Sequence, residues 1–186
     1  MRVISGAHKG RRLLAGRHDA RPTSGRVKEA LFSILGSRLP GASFLDLYAG
    51  TGAIGIEAVS RGATRVVFVE SDPRSWRVLN ANLEHCGITE RTEVYKGDVQ
   101  SYLRKPVEEP FTIVFADPPY REDSRAVLLP SLSRSAMIAP HTIVILEHPT
   151  KLSISLQIGR LSRTRLYRYG DTSLSLFSVA SDGEVL

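Results

Sequence analysis

At 186 residues and 42% hydrophobic, the chain is long enough to bury a core and has an ordinary globular composition. No apolar run nears the roughly 20 residues of a membrane helix, residues 1–6 hold no signal-peptide core, and the single Cys86 excludes an internal disulfide and a cysteine-based metal cluster. The net charge of +6 is concentrated: residues 1–40 hold nine Lys/Arg against two acids, a surplus of seven, so the rest is near neutral. That distribution suits a polyanionic partner such as nucleic acid. A cytoplasmic location is expected, with no membrane association.

Residues 1–16 read as a small hairpin, with Val3-Ile4 and Leu13-Leu14 as strand cores and His8-Lys9-Gly10 in the turn. Residues 17–23 read as loop. Thr23 or Ser24 then caps a helix whose Val27, Leu31, Ile34 and Leu35 share one face. Arg26, Lys28 and Glu29 fall elsewhere on it. Phe44-Leu45-Asp46-Leu47-Tyr48 is a short apolar strand, followed by a glycine-rich loop and a helix to residue 60. Residues 65–70 form a second strand ending in Glu70. A helix runs from Pro73, suited to a first turn, to Cys86-Gly87; Trp76 and Cys86 read as packing residues. Residues 92–95 are a third strand, followed by Asp98 and a short helix over 99–103. Residues 111–116 are a fourth strand that runs into Asp117-Pro118-Pro119-Tyr120. A helix over 125–137 and a strand over 142–146 follow. Residues 161–167 and 173–179 alternate in polarity and close the chain as an antiparallel hairpin around Tyr169-Gly170-Asp171-Thr172.

Strands alternating with helices predict an α/β fold with a doubly wound, mostly parallel sheet. Ligands of such sheets bind at the carboxyl ends of the strands. Asp46, Glu70, Asp98 and Asp117 all fall there. Four acids suit a ligand carrying hydroxyls, amines or positive charge. Gly50-Thr51-Gly52-Ala53-Ile54-Gly55 fits G-x-G-x-x-G, and Glu70 comes 20 residues after Gly50, the spacing of a nicotinamide-cofactor site. Asp46, on the strand before the loop, would oppose a pyrophosphate. S-adenosylmethionine has no phosphate, and acids can serve its amine, sulfonium and ribose. The corner at Asp117 is rigid, because each proline fixes its own φ and lacks an N–H, and Pro119 pushes Pro118 toward an extended conformation. It suits a planar substrate bearing an amino group, with the Tyr120 ring beside it. It equally describes a plain strand-to-loop turn. The five histidines show no metal-ligand spacing, so no metal site is expected.

The run Asp46-Leu47-Tyr48-Ala49-Gly50-Thr51-Gly52 resembles the first motif of class I S-adenosylmethionine-dependent methyltransferases. The resemblance implies a Rossmann-like fold that binds S-adenosyl-L-methionine and releases S-adenosyl-L-homocysteine. It implies a cofactor site of Thr23, Asp46, Ala49, Gly50, Thr51, Gly52, Gly55, Glu70, Asp98 and Asp117. In it, Glu70 accepts from both ribose hydroxyls and Asp98 contacts the adenine amine. In that family an Asp-Pro-Pro-Tyr corner after the fourth strand marks transfer to an exocyclic amine of a base. The lone pair of such an amine is delocalised into the ring. The catalytic set would be Asp117, Pro118, Pro119 and Tyr120. Asp117 and the Pro118 carbonyl accept the two amine hydrogens, and Tyr120 stacks on the base for about 1–3 kcal/mol. The base must be unpaired or flipped out.

Over its whole length the chain resembles the RsmD-type 16S ribosomal RNA guanine-N2 methyltransferases. The resemblance rests on Arg2-Val3-Ile4-Ser5-Gly6, Lys9-Gly10-Arg11-Arg12-Leu13, Arg21-Pro22-Thr23, Arg26-Val27-Lys28-Glu29-Ala30-Leu31-Phe32, Glu57-Ala58, Ser60-Arg61-Gly62-Ala63 and the motifs above. It implies a monomer that methylates N2 of one guanine in 16S rRNA, within an assembling or assembled small ribosomal subunit. Residues 1–22 would form a small basic N-terminal β-hairpin extension on a methyltransferase domain over 23–186. Arg2, Lys9, Arg11, Arg12, Arg21, Arg26 and Lys28 would supply RNA contacts; phosphate contacts position but do not specify. Two rival readings are an adenine-N6 DNA methyltransferase, which uses the same corner, and a non-catalytic RNA-binding assembly factor with the same fold.

Overall fold

The computed structural model describes residues 1–15, 24–119 and 122–180. The chain divides into two compact units, Met1–Val99 and Gln100–Leu186. In the first, α1 (Gly25–Leu35), β1 (Ser43–Leu47), α2 (Ala53–Ser60), β2 (Arg65–Glu70), α3 (Pro73–Cys86) and β3 (Thr92–Lys96) follow in chain order. The strands are parallel in the order β3-β2-β1, with Leu47 opposite Val69 and Glu70 opposite Lys96. Their carboxyl ends therefore share one edge. Nearly every residue of β1 and β2 is buried. Strands covered on both faces read as unbroken apolar runs, which is why they are legible in the sequence. Helix starts are chemically marked. Ser24 Oγ accepts from the Val27 N–H at 3.3 Å, and Asp72 accepts from the Arg74 and Ser75 N–H groups ahead of Pro73. Gly87, at φ 64°, ends α3.

The N-terminal segment is hairpin-like, but it is not a strand pair. The Val3 N–H donates to Arg11 O and the Gly10 N–H to Val3 O, both at 2.9 Å, yet the only β-bridge among its described residues joins Arg2 and Arg12. Its order comes from the helices beneath it. The Ile4 and Ser5 N–H groups donate to the two carboxylate oxygens of Glu57, at 2.8 and 3.0 Å. The His8 N–H donates to Ser60 Oγ at 2.9 Å. Gly6 has φ +84°, and a Cβ there would lie 1.8 Å from Ser60 O, so the close approach requires glycine. Fully buried Asn82 fastens the far end: Oδ1 accepts from the Leu14 N–H at 2.7 Å, and Nδ2 donates to Leu14 O at 3.2 Å and Thr51 O at 2.9 Å.

The second unit follows α4 (Val99–Leu103) with β4 (Ile113–Ala116), α5 (Glu122–Ser133), β5 (Ile143–Pro149), β6 (Gln157–Ile158), β7 (Leu161–Tyr169) and β8 (Thr172–Val179). β4 and β5 are parallel; β8, β7 and β6 extend from β5 in antiparallel order. The expected closing hairpin is β7–β8, turning at Gly170 with φ 63°. Among the boundaries that differ from the sequence reading are three in this unit. β4 starts at Ile113 because the Phe111 N–H donates to Met137 O at 2.9 Å. β5 runs on to Pro149, which still pairs with Thr172 of β8. α5 ends at Ser133, before the expected 137. There Ser135 Oγ donates to Leu103 O at 2.8 Å and accepts from the Met137 N–H at 3.2 Å, replacing helical bonds. Among the described residues no helix is long and apolar enough to cross a membrane.

Candidate active site

In the first unit the chain turns from β1 into α2 through three positive φ angles: Tyr48 at 61°, Gly50 at 56° and Gly52 at 80°. Tyr48 is the only non-glycine among the described residues in that region, a conformation that costs about 1–2 kcal/mol for an L-residue. The Ala49 N–H, donating to Val69 O at 3.1 Å, and the Gly52 N–H, donating to Ala49 O at 2.8 Å, hold the turn. The glycines serve different ends. A Cβ on Gly55 would lie 2.2 Å from Phe68 Cε1, so this glycine lets α2 lie against β2. A Cβ on Gly50 would meet nothing within 4 Å, which leaves open space over the loop. Gly55→Ala is therefore expected to destabilise the protein by about 1–3 kcal/mol through overpacking, measured by denaturant unfolding.

Asp46 is buried, and its Oδ2 accepts from the Gly55 N–H at 2.9 Å, in the first turn of α2. A helix N-terminus is a ready seat for a phosphate. Here an internal carboxylate already lies on it. The loop therefore does not fit a pyrophosphate cofactor and does fit one without phosphate.

Glu70, at the end of β2, is nearly buried and clasps the loop. Its Oε2 accepts from the Gly50 N–H and its Oε1 from the Asp72 N–H, both at 2.7 Å. The carboxylate keeps acceptor capacity for a ligand hydroxyl. Burial pushes the Glu70 carboxyl above its ordinary range, against the pull of the Asp72, Gly50 and Ser71 N–H groups. Asp98 follows β3 and is exposed. Its charge reaches Tyr48, whose hydroxyl is pushed up to about 12 by burial and then by Asp98, so it stays protonated at neutral pH. The structure thus brings Asp46, Ala49, Gly50, Thr51, Gly52, Gly55 and Glu70 together, with Asp98 near Tyr48.

In the second unit, Asp117 follows β4 and is half-buried, Pro118 is buried and Pro119 is exposed. Tyr120, Arg21 and Thr23 lie outside the described residues. Arg2, Lys9, Arg11, Arg12 and Arg26 are all exposed; Arg11 Nη1 also donates to His85 O at 3.0 Å. Lys28 corrects the sequence reading. It is 2% exposed, its Nζ sits 3.0 Å from Glu57 Oε2, and it donates to Arg2 O at 3.0 Å. A buried ammonium with those partners is not an RNA contact.

Sequence reasoning missed Glu57, Asn82 and Tyr48. Glu57 is fully buried and, besides the Ile4 and Ser5 N–H groups, receives Lys28 Nζ and Arg61 Nε, the latter at 2.8 Å. Its signal was present: it is the one charged residue in the otherwise apolar and small sequence of α2. Asn82 and Tyr48 carried no comparable signal, since an asparagine on a mixed helix and an aromatic after a strand are both commonplace.

A protein-family model described as "Conserved hypothetical protein 95" matches residues 1–178. The Bacillus subtilis protein YlbH is 35% identical over 180 residues, 95% of this chain and 98% of its own length. The Escherichia coli protein named "Ribosomal RNA small subunit methyltransferase D" is 29% identical over 185 residues, covering 99% of this chain and 92% of that protein. The solved structure of yhhF from Escherichia coli superposes with a TM-score of 0.87 at 28% identity, over 97% of this chain and 98% of that one. With a family match over nearly its whole length, and the α/β architecture to go with it, the chain belongs to the family of conserved hypothetical protein 95, the RsmD-type family its motifs resemble.

Proposed function

We propose that the protein is an S-adenosylmethionine-dependent ribosomal RNA methyltransferase that modifies N2 of one guanine in 16S rRNA. The observation that carries this reading is the loop at the carboxyl edge of the first unit. Open space lies over Gly50, Glu70 clasps the loop, and Asp46 denies the helix N-terminus to a phosphate. The relative named as a small-subunit rRNA methyltransferase supports the choice of RNA. So do the exposed cations of the N-terminal segment. Bound there, S-adenosylmethionine supplies a methyl group on a sulfonium and leaves as the neutral thioether S-adenosylhomocysteine.

The chain's own residues do the positioning. The two oxygens of Glu70 take the ribose hydroxyls, Asp98 takes the adenine amine, and the loop backbone over 49–52 carries the methionine part. Asp117 and the Pro118 carbonyl accept the two hydrogens of the guanine amine, which localises the nitrogen lone pair and fixes its direction. Asp117 then stabilises the positive charge that develops on that nitrogen, which becomes the neutral methylamine by releasing one N–H proton to solvent. Catalysis of this kind rests on orientation and electrostatics. Residues 1–22 act as the RNA-contacting extension of the domain over 23–186, and the protein works as a monomer on the small subunit or its precursors.

Mass spectrometry of rRNA from a strain lacking this protein tests the reading. One N2-methylguanine in 16S rRNA should disappear and return with the intact gene. An unchanged 16S rRNA, or a lost N6-methyladenine in DNA, would overturn it. Within the same reading, Arg2→Ala combined with Arg12→Ala should weaken rRNA binding and leave S-adenosylmethionine affinity unchanged in calorimetry. Equal rRNA affinity would refute the role of the N-terminal segment.

A further inference from the structure

We infer that a basic cleft in the second unit binds the phosphate backbone of a second segment of the RNA substrate, apart from the nucleotide that is modified. The inference rests on the proposed rRNA substrate and adds a selecting surface to it. The cleft has a volume of about 760 Å³, and its walls include Gln100, Arg104, Lys105, Ser131 and Arg134. The three cations are exposed, and no carboxylate is among the described residues that line it. Glu108 and Glu109 follow in the same connection without lining it. Gln100 Nε2 is buried without a hydrogen-bond partner among the described residues. Two guanidinium groups and an ammonium around one concavity match the oxygens of phosphodiesters.

Placement decides what the cleft can reach. Arg104 and Lys105 lie between α4 and β4, and Ser131 and Arg134 lie around the end of α5, ahead of β5. Both stretches precede the parallel strands, whereas Asp117 follows β4. The four residues of β4 put roughly 13 Å of strand between the two ends at about 3.3 Å per residue. A base seated at Asp117 cannot also fill the cleft. RNA in the cleft belongs to another part of the fold, so the surface favours a folded rRNA over a short hairpin.

The test is an Arg104→Gln/Lys105→Gln/Arg134→Gln variant, with filter binding to 16S rRNA purified from a strain lacking the protein, across a potassium chloride series. Each phosphate contact contributes about 0.7–0.9 to the log–log salt slope. The variant's slope should be shallower by about 2–3, and its KM for that rRNA should rise with kcat preserved. Melting temperature and S-adenosylmethionine affinity should not change. An unchanged slope and affinity would overturn the inference. Loss of binding only to assembled subunits, with naked rRNA bound as before, would also overturn it and point to a ribosomal protein. If the triple variant melts early, Arg134→Gln alone is read the same way, with a slope change of about 0.7–0.9. Failure of the unaltered protein to methylate both this rRNA and small subunits purified from the same strain would sink the proposed function. Methylation by it, with no slope change in the variants, would sink the cleft alone.

Discussion

Glu57→Ala is expected to lower the free energy of unfolding by about 3–5 kcal/mol, the range for breaking a buried ion pair from one side. Glu57 is fully buried and serves four donors: the Ile4 and Ser5 N–H groups, Lys28 Nζ and Arg61 Nε. Removing it strands the ammonium of Lys28, itself 3% exposed at the side chain, in the interior. It also leaves two backbone N–H groups without their acceptor, and each such loss has its own cost. Denaturant unfolding of the single variant and of Glu57→Ala/Lys28→Met separates the two effects. The double variant should regain only part of the loss, because Ile4 and Ser5 remain unserved. Full recovery would show that the carboxylate does not anchor the N-terminal segment. Acid should act in the same direction. Burial works against ionisation of Glu57, but the Ile4 N–H, Arg61 and Lys28 outweigh it and hold the carboxyl below its ordinary value of 4.5. The folded-state pKa is the lower one. The stabilisation is therefore complete above pH 4.5 and is lost as pH falls through the depressed value. The advantage of the natural residue over glutamine should shrink over that range.

Asp117→Ala should reduce methyl incorporation into rRNA by about 10²–10³-fold or more, the usual loss when one preorganised electrostatic partner of a developing charge is removed. S-adenosylmethionine should bind nearly as before, since the loop and Glu70 are untouched. Asp117 directly follows the buried strand β4. Its two prolines keep the chain from folding into a helix there, so the carboxylate has a fixed origin. Single-turnover kinetics with labelled cofactor, beside calorimetry of cofactor binding, distinguishes the outcomes. Asp117→Asn is the informative companion. An amide oxygen still accepts one amine hydrogen but carries no charge, so a rate between those of alanine and aspartate fits an electrostatic role. Full activity in the alanine variant would remove the corner from the mechanism.

Parallel strands and capped helices were legible because burial and capping leave one-dimensional marks. β1 and β2 read as apolar runs, and Asp72-Pro73 marks a helix start. The glycine loop and the acids at strand ends were legible because their chemistry is tied to spacing. Pairings across 20 to 70 residues were less so. The resemblance places Lys28 among the RNA contacts, yet Lys28, Leu31, Phe32 and Leu35 form one buried stripe. A lysine in an apolar stripe and a glutamate in an apolar helix were each visible alone; that they answer one another is a fact of packing. The end of α5 was misjudged because Ser135 competes for backbone groups, and periodicity does not register that competition. Asp46 was read as serving a ligand, and its bond to Gly55 could not be foreseen without the turn's geometry.

The attachment of residues 1–14 has a consequence for the order in which the protein is made. This segment is synthesised well before its partners. Ile4, Ser5 and His8 wait for residues 52 or 53 positions on, Leu14 for one 68 on, and Arg11 for one 74 on. Until α2 has emerged the Ile4, Ser5 and His8 amides have no side-chain acceptor, and until α3 has emerged Leu14 has none. It is translated ahead of the helices that hold it and is among the last segments to lock.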